Sequence, residues 1–251
     1  MWFLFMIFVK IHIMNTSTIA PEIVSEETWV VARKQLLEKE TELLKLQEEI
    51  HRERRELPWT KVTKDYTFDT PDGPKKLADL FGGNSQLIVQ HFMFAPEWKE
   101  GCPHCSFLAD HIDGALPHLE HHDVSVVAIS RAPLSEIAPF KKRMGWKFPW
   151  VSSYESDFNY DYHISFKKAD KVEYNYEMID FAGEDLPGMS VFYKDENGDV
   201  FHTYSTFSTG SEIVVNTLNF MDLTPKGRSL TENSVKYHDK YGSGTTHSCC
   251  H

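Results

Sequence analysis

The chain has 251 residues, 41% of them hydrophobic and 25% charged, which suits one large folded domain with appendages and excludes collagen-like, mucin-like and wholly disordered classes. Its 26 Lys and Arg against 37 Asp and Glu give a formal charge of -11, the wrong sign for tracking phosphate backbones, so no nucleic-acid partner is expected. The four cysteines are too few for a disulfide framework and fall in two pairs, Cys102 with Cys105 and Cys249 with Cys250.

The chain opens on the apolar run Trp2-Phe3-Leu4-Phe5-Met6-Ile7-Phe8-Val9. No basic segment precedes it, no A-x-A-like site follows it, and it is far short of the roughly 20 residues a membrane helix needs. Residues 1–24 therefore read as a disordered or spurious extension, with translation expected to start at Met14; a cleaved export signal is the alternative. A cytoplasmic location and no membrane partner are the expectations.

Ser25-Glu26-Glu27-Thr28 carries an N-cap followed by acids in a first turn, and predicts a helix over 25–57 that Pro58 ends. Trp29, Leu36, Leu43, Ile50 and Leu57 recur every seven residues, but Lys39 and Glu53 interrupt a coiled-coil seam. The helix is expected to be an arm docked on its own domain or on a second subunit, the latter giving a homodimer.

Residues 58–226 alternate strands and helices. Tyr66-Thr67-Phe68-Asp69 leads into the turn Thr70-Pro71-Asp72-Gly73 and a helical turn at Leu77-Ala78-Asp79-Leu80. The apolar run 86–94 predicts a strand buried on both faces, followed by Cys102-Pro103-His104-Cys105 and a helix over 106–120, bent at Gly114 and Pro117. A second buried strand is expected over 123–130 and a second helix from Pro133 to near Gly145. Two strands then flank Asp195-Glu196-Asn197-Gly198 as a hairpin, and 212–221 supplies a closing helix. A βαβ half followed by a ββα half is the layout of a thioredoxin-like α/β fold, a central mixed sheet flanked by helices. The polar stretch 227–251 reads as a flexible tail.

Two cysteines at i and i+3, where a strand hands over to a helix, can close a small disulfide. Cys102 at the cap would face the orphan N–H groups and positive end of the helix, which favour its thiolate and make it the attacking thiol. Cys105, one turn in, would resolve the mixed disulfide. His104 adds a positive charge beside the thiolate. His91 in the central strand is a candidate proton acceptor for the buried thiol, the alternative being a core histidine with satisfied hydrogen bonds. Pro187, just before the strand at Ser190, lies near where thioredoxin-like proteins carry a cis-proline facing the disulfide.

Several rivals stay open. Zinc would need two further ligands, for which His111, His118, His121 and His122 are the candidates. A third reading, thiol peroxidase, would need a threonine and an arginine around Cys102, and Arg131 is the one tempting arginine. The first alternative, ahead of the peroxidase, is a thioredoxin-fold binding or scaffolding module whose cysteine pair is structural or zinc-binding. No phosphate loop or flavin fingerprint is found, so no cofactor and no metal are expected. Trp98, Trp146, Trp150 and the run Phe158-Asn159-Tyr160-Asp161-Tyr162 read as core or rim packing.

Gly101-Cys102-Pro103-His104-Cys105-Ser106-Phe107, Ser130-Arg131-Ala132-Pro133-Leu134, Phe148-Pro149-Trp150-Val151-Ser152-Ser153 and Asp222-Leu223-Thr224-Pro225-Lys226-Gly227-Arg228 stand in order along the chain. Together they resemble a mostly bacterial, functionally uncharacterised family of thioredoxin-like proteins, usually described as predicted dithiol-disulfide oxidoreductases, over about residues 24–241. That resemblance implies Cys102 as nucleophile, Cys105 as resolving thiol, and protein or small-molecule thiols and disulfides as partners. Cys-Pro-His-Cys is also similar to the motif of periplasmic disulfide-forming oxidases, whereas a cytosolic thioredoxin has Gly-Pro between its cysteines. The loop 95–101 and the long segment 146–186 depart from plain thioredoxin.

Overall fold

The structure is a computed structural model that describes residues 21–167, 169–228, 230 and 234–242. The apolar opening run and the Cys249/Cys250 pair lie outside the described residues. The chain forms two compact units, one of them the N-terminal helix region and the other running from Thr60 onward.

Helix α1 spans Glu26–Glu56. Ser25 caps it, its Oγ accepting from the Thr28 N–H at 3.3 Å, with Glu26 and Glu27 in the first turn and Arg54 and Arg55 in the last, the charge order that the helix dipole favours. Leu57 leaves the helical conformation, as a residue before proline must. None of the 31 residues is buried, and the row at Trp29, Leu36, Leu43 and Ile50 is exposed.

The second unit carries β1 (Thr60–Lys61), β2 (Thr67–Phe68), β3 (Lys75–Lys76), β4 (Gln86–His91), α2 (Pro103–Ala109), α3 (Leu116–His121), β5 (Val124–Ser130), α4 (Leu134–Met144), β6 (Trp150–Ser152), α5 (Phe158–Asp161), β7 (Lys171–Tyr174), β8 (Glu177–Asp180), β9 (Gly188–Lys194), β10 (Val200–Phe207) and α6 (Asn216–Asp222). Six strands form one sheet in the order β1-β10-β9-β4-β5-β6. Strands β4, β5 and β6 run parallel, while β9 pairs antiparallel with both β4 and β10. The parallel pair with its crossover helices, followed by an antiparallel hairpin and a closing helix, is a thioredoxin-like fold.

The strand alternation sorts two cores. Leu87, Val89, Val127 and Ile129 face one side with Phe68, Phe81, Phe158 and Phe192. Val126 and Ala128 face the other with Phe92, Phe94, Phe140, Trp146 and Trp150, in one cluster with Cys105 of α2. Trp146 and Trp150 are thus core residues, as expected, while Trp98 is exposed.

The expected single helix over 106–120 is instead two short ones, because the turn through Gly114 separates α2 from α3. The expected closing helix begins as a 3-10 segment, Ser208–Val214, before α6. Segment 146–186 holds β6, α5 and the β7–β8 hairpin. Among the described residues no helix is long and apolar enough to cross a membrane.

Candidate active site

The site is built where β4 ends. Phe92 N–H donates to the Ile129 carbonyl, carrying the strand one residue past its last pair. The chain then loops out and returns, so that Cys102 N–H donates to the Met93 carbonyl at 2.9 Å and the Met93 N–H meets Cys105 Sγ at 3.4 Å. Met93 thereby clasps both cysteines through its backbone alone. Cys102 is the N-cap of α2 with extended backbone, φ -58° and ψ 130°, and Pro103 takes a first-turn position where its missing N–H costs nothing. Ser106 closes the turn, its N–H and Oγ donating to the Cys102 carbonyl at 3.0 and 2.9 Å.

Cys102 is half-buried, Cys105 is buried and His104 is exposed. Both thiols are free. The Cys105 thiol, then His104 and the Cys105 backbone N–H, donate to Cys102 sulfur, and together with the His104 charge they hold its thiol well below the ordinary cysteine range against the cost of burial. Cys105 moves the other way: its bond to Cys102, then burial, the Cys102 charge and Asp185 push its thiol well up. The surroundings thus favour ionisation of the half-buried sulfur and oppose it at the buried one.

Around this pair sit residues that sequence reasoning largely does not pick out. Buried Gln90 donates through Nε2 to the Cys105 carbonyl at 3.0 Å. Asp185, buried, is gripped by Arg131 through Nε at 2.8 Å and a second nitrogen at 3.0 Å, and Arg131 also meets Tyr160 and Glu184. Tyr237 Oη donates to the Gly101 carbonyl at 2.7 Å, beside Cys102. Burial, then Glu100 and Cys102, push that phenol up to about 12, so it keeps its donor proton. Of these, the sequence names only Arg131, as the arginine of a peroxidase site, and carries no signal for Gln90, Asp185 or Tyr237.

His91 does not join the cysteines. It follows Gln90 on β4, and where Gln90 reaches α2, His91 points to the opposite face of the sheet. There it stacks on Phe158 and Tyr162 and bonds Ser190 Oγ at 2.8 Å. Burial, then His202, pull it down to about 3, so it is neutral. The core reading of this histidine is the one the geometry supports.

Pro187 is not a cis-proline: no cis peptide bond occurs among the described residues. The chain reaches β9 already extended, with Leu186 N–H bonded to the Ile164 carbonyl and Gly188 paired to His91, so no tight turn is needed there. Tyr174 Oη donates to the Pro187 carbonyl at 2.6 Å.

The zinc candidates do not converge on the cysteines either. His111 is spent on structure, its Nδ1 on the Phe107 carbonyl and its Nε2 accepting from the Thr217 N–H, which ties the end of α2 to α6. Among the described residues no group of three or more His, Cys, Asp or Glu side chains is arranged to hold a metal.

No curated protein matches this chain in sequence. Among solved structures it is similar to the peroxidoxin BcpB from Mycobacterium tuberculosis, at 16% identity, covering 66% of this chain and 97% of that one with a TM-score of 0.43. A PrxQ mutant of Xylella fastidiosa gives 16% identity, 62% and 88% coverage and a TM-score of 0.40. The mitochondrial 2-Cys peroxiredoxin from Plasmodium falciparum gives 15% identity, 65% and 92% coverage and a TM-score of 0.38. The family described as "Bacterial protein of unknown function (DUF899)" matches over residues 18–241, and the chain belongs to that family.

Proposed function

We propose that the protein is a thiol-disulfide oxidoreductase that cycles Cys102 and Cys105 between dithiol and disulfide. The observation that carries this reading is the asymmetry of the two sulfurs: Cys102 at the helix cap is half-buried with its thiol shifted down by the donors around it, and Cys105 is buried one turn in with its thiol shifted up. In the reducing direction Cys102 thiolate attacks a substrate disulfide and expels one substrate thiolate, which takes up a proton. Cys105 then loses its proton, attacks Cys102 sulfur, and releases the second substrate thiol as the internal disulfide closes. The oxidising direction is the same sequence reversed.

The peroxidase reading is weaker because Arg131, the arginine it needs, is committed to Asp185, Glu184 and Tyr160. The zinc reading is weaker because His111 is already bonded at both ring nitrogens.

Titration of the protein against glutathione redox buffers tests the proposal. A two-electron transition of the Cys102/Cys105 pair, and a glutathione adduct trapped on Cys102 in Cys105→Ser, are the expected results. No exchange at any poise would overturn it.

A further inference from the structure

Two successive residues, Tyr237 and His238, grip α2 at both of its ends. Tyr237 Oη donates to the carbonyl of Gly101, the residue before the N-cap Cys102, and His238 Nδ1 bonds Oδ1 of the C-cap Asp110 at 2.7 Å. The helix between these grips has seven residues, about 10 Å of rise. Helix α4 holds the clamp in place. The Tyr237 ring meets Phe140 at 5.5 Å between centroids, and the Arg143 guanidinium lies 4.9 Å above it. Arg143 also bonds Asp239 at 2.8 Å and, on its other side, Glu100, so one guanidinium fastens the clamp to the loop before Cys102.

The consequence falls on the peptide that precedes the reactive sulfur. Its N–H, that of Cys102, donates to the Met93 carbonyl at 2.9 Å, and its carbonyl, that of Gly101, accepts from Tyr237 at 2.7 Å. The carbonyl on the far side of Cys102 is held by Ser106. Met93 and Ser106 are near in sequence, whereas Tyr237 comes from 136 residues away. Gly101 is buried, so without the Tyr237 hydroxyl its carbonyl oxygen would lose a donor where water is scarce. That oxygen belongs to the peptide joined to Cys102, and its partial negative charge would oppose a thiolate beside it. The peptide would also be free to turn away from the cap geometry.

We infer that Tyr237 is a positioning residue for Cys102: its hydroxyl holds the Gly101–Cys102 peptide from the carbonyl side while Met93 holds it from the N–H side, and the His238 and Asp239 contacts keep that hydroxyl in place. Its part in the reaction rests on the redox reading of Cys102 and Cys105. Its effect on the Cys102 thiol does not.

In the full chain, Tyr237→Phe keeps a ring against Phe140 and Arg143 and removes only the hydroxyl. Iodoacetamide alkylation of Cys102, read at its own peptide by mass spectrometry from pH 4 to 9, is measured beside urea unfolding. The expected result is an alkylation midpoint raised by about half a pH unit or more, which slows modification at pH 6 by roughly threefold or more. His238→Ala, which frees the other end of α2, should move the midpoint the same way by less, and it carries the test where Tyr237→Phe does not fold. A weakened unfolding transition with the parent's alkylation midpoint would assign the hydroxyl to stability alone and overturn the inference, as would parent behaviour in both measurements. If the parent's Cys102/Cys105 pair exchanges with glutathione buffers at no poise, the redox reading falls while a raised midpoint in Tyr237→Phe still places Tyr237.

Discussion

His91 Nε2 lies 2.8 Å from Ser190 Oγ. Ser190 in turn bonds Ser205, and Ser205 bonds His202 at 2.7 Å, so the two histidines end one hydrogen-bonded row. The row lies across the sheet from the cysteines, where His202 and Ser205 line a cavity of about 350 Å³ with Tyr66 and Tyr162. Burial and then His202 pull His91 down to about 3, and burial lowers His202 as well.

That row makes stability depend on pH with a definite sign. An unfolded histidine titrates at about 6.5, so between there and about pH 3 the unfolded chain binds a proton that folded His91 refuses. The stabilisation is complete above about 6.5 and is lost as pH falls, at up to about 1.4 kcal/mol per pH unit for each such proton. Urea unfolding from pH 4 to 7 should show a steeper slope in the parent protein than in His91→Asn, by about one proton's worth. Equal slopes would mean that His91 is charged in the fold.

The donors on Cys102 predict an order of reactivities. Cys105 supplies the largest share of the stabilisation and His104 the next. At pH 6 an ordinary thiol is well under about 1% ionised, so iodoacetamide modification of Cys102 there reports these donors. The parent protein should react on the order of tenfold faster than Cys105→Ala, with His104→Ala between them. Equal rates for all three would shift the cause to the helix end alone.

Gly101 couples the Cys102 loop to the core through space rather than through backbone freedom. A Cβ there would stand 2.5 Å from Phe92 Cε1 and 3.0 Å from Phe140 Cε1, and both rings are buried. Gly101→Ala must therefore displace a packed ring or the Cys102 loop itself, at a cost of about 1–3 kcal/mol. Urea unfolding reads that loss, and slowed alkylation of Cys102 should accompany it. Parent-like stability and rate would show that the loop yields freely.

Hydrophobic pattern was enough to place β4, β5, α4 and the hairpin around Gly198, because those runs are buried or end on residues whose preference is local: Gly145, at φ 71°, ends α4. The Cys102 cap was legible because Pro103 right after the cysteine favours a first-turn position of the helix that follows. What the pattern could not carry was face and distance. His91 and Gln90 are neighbours of similar burial that alternation along β4 puts on opposite faces, and the side of the sheet on which α2 packs decides that the glutamine meets it and the histidine does not. Tyr237 and Gly101 are 136 residues apart, and Arg131 and Asp185 are 54 apart. Such pairs are fixed by topology, which no local spacing announces. The strand β1 is only two residues long and took its place by pairing with His202 and Phe201.

The Arg131–Asp185 pair offers a separate handle on Cys105. The side chains are 12% and 4% exposed, and Ser165 Oγ donates a further bond to Asp185. Removing one partner strands a buried charge, so Arg131→Met should cost about 3–5 kcal/mol. The double variant Arg131→Met with Asp185→Leu should recover most of that, since a buried pair replaced by apolar groups of similar size is often near neutral. Asp185 also pushes the Cys105 thiol up. In the double variant Cys105 should therefore ionise at lower pH, and the resolving step, followed as release of a thiol from a preformed mixed disulfide on Cys102, should run several-fold faster near pH 8. Thiolate absorbance at 240 nm in the reduced protein reads the ionisation directly. A Cys105 titration unchanged by loss of the carboxylate would show that Asp185 serves the fold and not the thiol.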